Sequence, residues 1–269
     1  MNLRLAVALL SSLCLLLPVR VAAQSAAASR DPEAAALLSR SLQTITNGLP
    51  VRDVTLTGTV RRVVGSDDEA GRIVAEALAT GEMHVNYAYA SGSRNEFRQV
   101  SAGRASESWS GPEGTKHDVV AHNVAPLSPW FSPAALLQTW VQAADVSLKY
   151  VSREIRSGHA VDHLTVAQEV PPLHHPSVML TLLQKSARVE LYLDATTGLP
   201  AAIEYNTHSD KNLAQDIPVE IRFSDYRLAD GVQAPYQVQK YLNRVRMLDV
   251  RASTVALNAG LSTSSLGPQ

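Results

Sequence analysis

Apolar residues recur at every second position over much of residues 51–258, and this spacing constrains the fold more than any other feature of the chain. In the first such segment, Val54, Leu56 and Val60 alternate with polar residues. Neighbouring side chains of a β-strand point to opposite faces, so a period of two predicts a strand with one buried face. Similar segments follow, separated by turn sequences such as Gly65 to Asp68. The pattern therefore predicts a chain made mainly of antiparallel strands.

Residues 72–79 fit either a helix or a strand on local pattern alone. Gly81 follows at once, and Tyr87 and Tyr89 then alternate with small residues as in a hairpin partner, which favours a strand. The complete set of predicted strands is 51–61, 72–79, 82–90, 96–100, 106–110, 146–155, 160–169, 188–193, 199–207, 218–228, 233–242 and 247–258.

Two segments have helical spacing instead. Asp31 is a suitable N-cap, and Pro32 suits the first helical position, where its missing N–H group costs nothing. Asn47 and Gly48 provide a stop, and Ser132 with Pro133 begins a second helix that should end near Ala144. The apolar positions are Ala34, Leu37, Leu38, Leu42 and Ile45 in the first helix and Leu136, Leu137, Trp140 and Val141 in the second; a short helical turn is also expected over 177–184.

The N-terminus has the three parts of a secretory signal. Arg4 supplies positive charge, residues 5–17 are almost wholly apolar, and small residues up to Ala23 offer a cleavage site. The apolar run is too short for the ~20 residues of a membrane-spanning helix. We therefore expect a signal peptide over 1–23, no transmembrane anchor, and a mature chain in the periplasm or outside the cell.

Cleavage after Ala23 removes Cys14, the only cysteine. The mature chain would then have no disulfide, thiolate nucleophile or zinc–cysteine site. We expect a flexible lead-in over 24–30, a single domain over 31–262 and a C-terminal tail over 263–269.

Charge and motifs exclude several classes of function. The net charge is −1, with acidic and basic residues interspersed, so no basic face for nucleic acid is predicted. A Gly-x-Ser-x-Gly elbow and glycine-rich phosphate loops are absent from the sequence. The sequence thus predicts no catalytic residue and no cofactor.

His159 and His163 form the tightest histidine group. On a strand, residues four apart face the same side about 13 Å apart, too far to share one metal ion without a bend. The sequence predicts no metal, and these two residues stand only as weak candidates for the metal of a metal-dependent hydrolase.

Large aromatic residues surround a proline-rich segment, Pro126 to Pro133. Such side chains can line an apolar cleft, or they can fill the core. For Trp140, on the apolar face of a helix, the core is favoured. The candidate ligand contacts of this region are Trp130, Phe131, Leu137 and Trp140; Trp109 belongs to the same aromatic set.

The order of elements resembles a known family. The hairpin segment Leu191 to Pro200, the strand Ile221 to Tyr226 and the strand–turn–strand unit Tyr226 to Pro235 are similar to those of the LolA and LolB type of lipoprotein-carrier-like proteins. The ending Val255 to Leu261 resembles still more closely a set of exported proteins from soil bacteria. The resemblance implies an α+β, mainly β fold in which a curved antiparallel sheet, an incomplete barrel, is covered by two or three helices over 31–262.

The resemblance also implies a cavity for acyl chains and a role in handling envelope lipids or lipoproteins. No position maps onto a ligand-gripping arginine, so Arg98 and Arg222, both on predicted strands, stand as candidates. The leading hypothesis is a periplasmic, non-catalytic carrier of an apolar ligand. The alternatives are an envelope protein-interaction or sensing module with a self-filled cleft, and the metal-dependent hydrolase.

Overall fold

A computed structural model describes residues 28–101, 104–124, 127–170, 177–209 and 212–267. The expected signal peptide over 1–23 and the first part of the expected lead-in lie outside the described residues. Within the described residues, the helices are α1 (Pro32–Thr46), α2 (Pro133–Gln142) and α3 (Ser177–Ser186), with short 3-10 turns at Ala121–Asn123 and Thr263–Ser265. None of these helices has the length and apolar character needed to cross a membrane.

Thirteen strands form one sheet in the described part of the chain. They are β1 (Asp53–Val64), β2 (Asp67–Leu78), β3 (Met83–Tyr89), β4 (Gly92–Ser101), β5 (Arg104–Ser110), β6 (Lys116–Asp118), β7 (Val146–Arg156), β8 (His159–Gln168), β9 (Arg188–Asp194), β10 (Pro200–Ser209), β11 (Asn212–Ala229), β12 (Val232–Leu242) and β13 (Val245–Leu257).

The sheet consists of two antiparallel meanders joined at β1 and β13. The strand order is β6-β5-β4-β3-β2-β1-β13-β12-β11-β10-β9-β8-β7, so the first and last strands pair in the middle. Val60 faces Gly71 of β2 on one side and Val250 of β13 on the other. The sheet is curved but not closed, which leaves β6 and β7 as its edges. The mainly β, helix-covered fold predicted from the sequence is confirmed.

Helix α1 has the ends that its sequence predicts. The Asp31 carboxylate accepts a hydrogen bond from the Glu33 amide at 2.9 Å, and Pro32 occupies the first turn. Asn47 ends the helix in the left-handed region, with φ of 51°. These local interactions fix both ends of the helix before any tertiary contact is considered.

Helices α1 and α2 pack against each other and against β12, and α1 also contacts β7. We call the face of the sheet that they cover the inner face and the opposite one the outer face. Strand alternation turns Leu56 and Val60 inward, where they join one core with the helical residues Leu38 and Leu136. This core occupies one part of the inner face and leaves space elsewhere.

Several sequence predictions differ in detail from the structure. The ambiguous segment 72–79 is strand β2, as expected, whereas the short turn expected over 177–184 is the ten-residue helix α3. Helix α2 ends at Gln142 rather than near Ala144. In the expected tail, Leu266 is buried.

The end of the expected lead-in is held by hydrogen bonds. Arg30 forms a parallel bridge with Leu148 of β7, and its guanidinium donates to the carbonyl oxygens of Trp140 at 2.8 Å, Val141 at 3.2 Å and Ala143 at 3.3 Å. These carbonyls belong to the last turn and end of α2, whose C-terminal acceptors have no partner within the helix. Arg30 thus anchors α2 to the β7 edge.

Candidate ligand-binding cavity

A cavity of about 580 Å³ opens on the inner face, away from the α1–α2 core. Its walls come from β1, from β3 to β5, from β10 to β13 and from the segment between β6 and α2. The apolar and aromatic lining residues are Val64, Met83, Tyr87, Tyr89, Phe97, Trp109, Val119, Leu127, Trp130, Tyr205, Val219, Leu242, Met247 and Leu248, and the polar ones are Arg62, Arg94, Asn95, Glu96, Glu107, Ser108, Ser110, Asn123, Thr207 and Lys240.

The loop before α2 places Trp130 in the cavity wall. The Ser128 hydroxyl donates to the Gly81 carbonyl at 2.7 Å, which ties this loop to the turn between β2 and β3. Trp130 itself is buried, and its indole meets the neighbouring Phe131 ring edge to face. The loop therefore presents a large aromatic surface to the cavity from a fixed position.

Asn123 ties the other part of this connection to β10. Its amide donates to the His208 carbonyl at 2.7 Å and accepts from the Thr207 hydroxyl at 2.7 Å and the His208 amide at 2.8 Å. Both Asn123 and Thr207 line the cavity. The segment after β6 is thus joined across the opening of the sheet to the second meander, and the two meanders enclose the space between them.

Lys240 brings a positive charge into this largely apolar space. Burial lowers its pKa, but the electrostatic interactions with Tyr205 and with the carboxylates of Glu96 and Glu107 outweigh burial and leave the pKa above its ordinary value. Its ammonium lies 5.7 Å from the centroid of the Trp130 ring. The cavity therefore contains a lysine that is charged at neutral pH.

Two tyrosines of β3 mark the polar side of the cavity. Burial, with a contribution from Glu96, raises the pKa of Tyr87 well above its ordinary value. Burial also raises the pKa of Tyr89 to about 12. Both hydroxyl groups are protonated donors at neutral pH; that of Tyr87 interacts with Glu96, whereas that of Tyr89 has no partner among the described residues.

Of the candidate contacts around α2, only Trp130 lines this cavity. Phe131, Leu137 and Trp140 are 2%, 1% and 6% exposed and belong to the core. Phe131 follows Trp130 directly, but its ring packs beneath the start of α2 beside β1 and β13. These three side chains therefore fill the core and do not line the cavity.

The two candidate arginines lie on opposite faces of the sheet. Arg98 faces inward opposite Met83 and forms an ion pair with Glu107, a lining residue. Arg222 lies between the buried Ile221 and Phe223 and therefore points outward, where it donates two hydrogen bonds to Glu220 at 2.8 Å. Arg222 is therefore not among the residues that line this cavity.

The histidine candidates form no cluster with other ligand types. Among the described residues, no three His, Cys, Asp or Glu side chains are arranged to hold a metal ion. His163 lies 2.9 Å from Glu190 and stacks on Tyr192 on the outer face, while His159 is exposed. His159 is therefore a surface residue, and the imidazole of His163 is hydrogen-bonded to Glu190.

Sequence reasoning missed the charged lining residues Arg62, Arg94 and Lys240. The signal for Arg62 is present in the sequence, because it continues the inward series of Val54, Leu56 and Val60. Lys240 likewise follows Val238 by two positions. A charged residue at an inward position of an alternating strand is the pattern that identifies them.

Comparisons with known proteins bear on the fold. No protein-family model matches the sequence. No curated protein matches it significantly. Solved structures do match: a DUF1329 family protein from Desulfovibrio piger has 12% identity and a TM-score of 0.55, with 89% of this chain and 100% of that chain covered. A LolA superfamily protein from Nitrosomonas europaea has 11% identity and a TM-score of 0.52, with 87% and 97% covered.

Both matches cover most of this chain and nearly the whole of each matched structure. They agree with the open, curved antiparallel sheet and its covering helices. The chain therefore has a LolA-like fold.

Proposed function

We propose that this chain is an exported, non-catalytic protein that binds an apolar ligand, a lipid or the acyl chain of a lipoprotein, in the inner-face cavity. The observation that carries the proposal is the cavity of about 580 Å³ bounded by Trp130, Tyr205 and Leu248. Ligand pockets typically enclose about 300–1,000 Å³ and combine apolar walls with a few placed polar groups. The size and lining of this cavity have that character.

The way the core is distributed also supports a binding role. Sheet proteins ordinarily fill the space between their layers with side chains, because voids forfeit dispersion contacts. Here Phe131, Leu137 and Trp140 fill one side of the inner face, while the space beside Trp130 stays open. An apolar ligand entering that space would regain the missing contacts.

The protein-interaction hypothesis required a cleft filled by the protein's own side chains. The open cavity favours the carrier over that alternative. The hydrolase hypothesis required ligands around His159 and His163, and the hydrogen bond from His163 to Glu190 gives it no support.

Export is part of the proposal and rests on the N-terminal signal and on the resemblance to envelope proteins. The Gram-negative periplasm or the extracellular space would be the compartment, where a carrier moves apolar molecules through water. Shielding an acyl chain from water is worth ~0.8 kcal/mol for each buried methylene group, so a cavity of this size suits that task.

The adjacent residues Val119 and Val120 allow a matched test. Val119 lines the cavity, whereas Val120 is exposed. Tryptophan at position 119 would occupy ligand space, and tryptophan at position 120 would point into solvent. We expect the delipidated mature protein to raise Nile red fluorescence, Val119→Trp to reduce that response severalfold, and Val120→Trp to retain it.

Circular dichroism of each variant establishes that it is folded before binding is compared. Equal Nile red binding by folded Val119→Trp and by the unaltered protein would contradict the proposed cavity. So would the absence of any fluorescence response in the unaltered, delipidated protein.

A further inference from the structure

Four side-chain atoms at one end of β1 to β4 are shielded from solvent, and none of them has a hydrogen-bond partner among the described residues. Within the described residues, Arg62 Nη1, Glu69 Oε2, the Tyr89 hydroxyl and Arg94 Nε all lack a partner and are shielded from solvent. A buried polar group without a partner destabilises the folded state, and native proteins rarely keep several together. Arg62, Tyr89 and Arg94 are donors, and a ligand with acceptor atoms would supply their missing partners; Glu69 is an acceptor and is not among the lining residues.

The strand register brings these groups into one region of the inner face. Arg62 and Glu69 are direct partners on β1 and β2, and Arg94 is the partner of Tyr87 on β3. Tyr89 is only 8% exposed, and the charges of Arg62, Glu69 and Arg94 all act on its hydroxyl. Arg62, Tyr89 and Arg94 line the large cavity. We call these three residues the Arg62 cluster.

Lys240 extends this region toward the second meander. Leu248 of β13 is the register partner of both Arg62 and Lys240, so these two cations lie two strands apart in one row. Two strand spacings correspond to about 10 Å. An elongated ligand lying along the row would meet both groups.

The charge of the region favours an anion. Arg98 and Glu107 form an ion pair with each other. The remaining inward cations are Arg62, Arg94 and Lys240, and the nearby acids are Glu69 and Glu96; no ion pair joins any of these five among the described residues. The guanidinium groups and the Tyr89 hydroxyl are hydrogen-bond donors of the kind that bind carboxylates and phosphates.

We propose that the Arg62 cluster binds the anionic headgroup, a carboxylate or a phosphate, of the apolar ligand, whose chain then lies against Trp130 and Tyr205. This inference rests on the proposed function and names the class of ligand: an anionic amphiphile rather than a neutral lipid. The apolar wall supplies most of the affinity, and the cluster selects and orients the charged end.

The test compares ligands that share one chain and differ in the headgroup. Dodecanoate, dodecyl phosphate and dodecanol are titrated by displacement of Nile red from the delipidated mature protein, and acetate and inorganic phosphate are titrated in parallel. We expect the two anionic amphiphiles to bind on the order of tenfold more tightly than dodecanol. We expect acetate and inorganic phosphate to leave Nile red bound, because the free anions lack the chain.

Neighbouring arginines provide a matched control. Arg62→Met keeps an apolar stem but removes the inward charge, and Arg94→Met does the same on β4. Arg61 lies next to Arg62 but is exposed on the outer face and pairs with Asp68. Each inward variant should weaken dodecanoate binding on the order of tenfold and leave dodecanol binding unchanged, whereas Arg61→Met should change neither.

The outcomes separate the two proposals. If dodecanol displaces Nile red as well as dodecanoate does, the cavity binds chains and only the anionic headgroup site is overturned. If the folded Arg62→Met and Arg94→Met variants keep the full preference for anionic amphiphiles over dodecanol, the anionic headgroup site is likewise overturned and the chain-binding cavity is not. If no dodecyl compound displaces the dye, both the headgroup site and the proposed function fail. Displacement of Nile red by inorganic phosphate or by acetate would show that the cluster binds a free anion. That result would overturn the proposal that the ligand is an anionic amphiphile.

Discussion

The ammonium of Lys240 lies over the Trp130 ring, 5.7 Å from its centroid, inside the cavity. The two residues come from different parts of the fold: Lys240 is on β12, and Trp130 is on the loop before α2. A cation within about 6 Å of an indole face is attracted by the ring's electron density. This contact joins the loop that forms one wall to the strand that forms another.

A double-mutant cycle tests this contact. Lys240→Met and Trp130→Leu, alone and together, should show a coupling free energy of roughly 0.5–2 kcal/mol in urea unfolding. Strictly additive effects would show that the two side chains do not interact in solution.

Arg30 should contribute to stability well beyond an ordinary surface arginine. Arg30→Met removes donors to three carbonyls at the end of α2. We expect the free energy of unfolding to fall by about 2–3 kcal/mol, as for hydrogen bonds from a charged group. Arg40→Met, on the exposed side of α1, is the control and should change it by less than about 0.5 kcal/mol. Equal effects of the two variants would contradict the anchoring role.

The Tyr89 hydroxyl should ionise at a higher pH than an ordinary tyrosine does. Its pKa is raised to about 12 in the folded protein, against about 10 for an unperturbed tyrosine. The associated stabilisation is fully present below pH 10 and is lost as the pH rises through 12, because the unfolded chain releases the proton first. The ultraviolet titration curve of the Tyr89→Phe variant is subtracted from that of the unaltered protein. The difference should therefore show a step near pH 12. A step near pH 10 would mean that the hydroxyl is not buried.

The N-terminal sequence predicts processing after Ala23. The exported protein should begin at Gln24 by N-terminal sequencing, since Val21 and Ala23 are small residues at the recognition positions. Ala23→Arg should block cleavage and leave residues 1–23 attached. An exported, unaltered chain that still carries Met1 would refute the cleavage site.

Local signals in the sequence predict much of the fold. Asp31, Pro32 and Asn47 determine the ends of α1 through hydrogen bonds and backbone geometry within a few residues. The strand alternation likewise predicts which side chains of β1 share a face. The pairing of β1 with β13 has no such signal, because it joins residues as distant as Val60 and Val250.

The site was harder to predict because it depends on that long-range pairing. Trp130 and Phe131 are adjacent and chemically similar, yet one lines the cavity and the other packs in the core. Their separation depends on how the loop meets the sheet. Arg222 could have been assigned to the outer face from its apolar neighbours Ile221 and Phe223, whereas the meeting of Arg62 and Lys240 depends on the register through Leu248.

An apolar ligand carried in the inner-face cavity should stay bound when the exported protein is isolated gently. Native mass spectrometry of the mature protein, taken from an extract of the compartment to which it is exported, tests this claim before and after organic extraction. We expect an adduct of lipid mass that extraction removes and that Val119→Trp reduces. A bare protein mass before extraction, under conditions that preserve the fold, would contradict it.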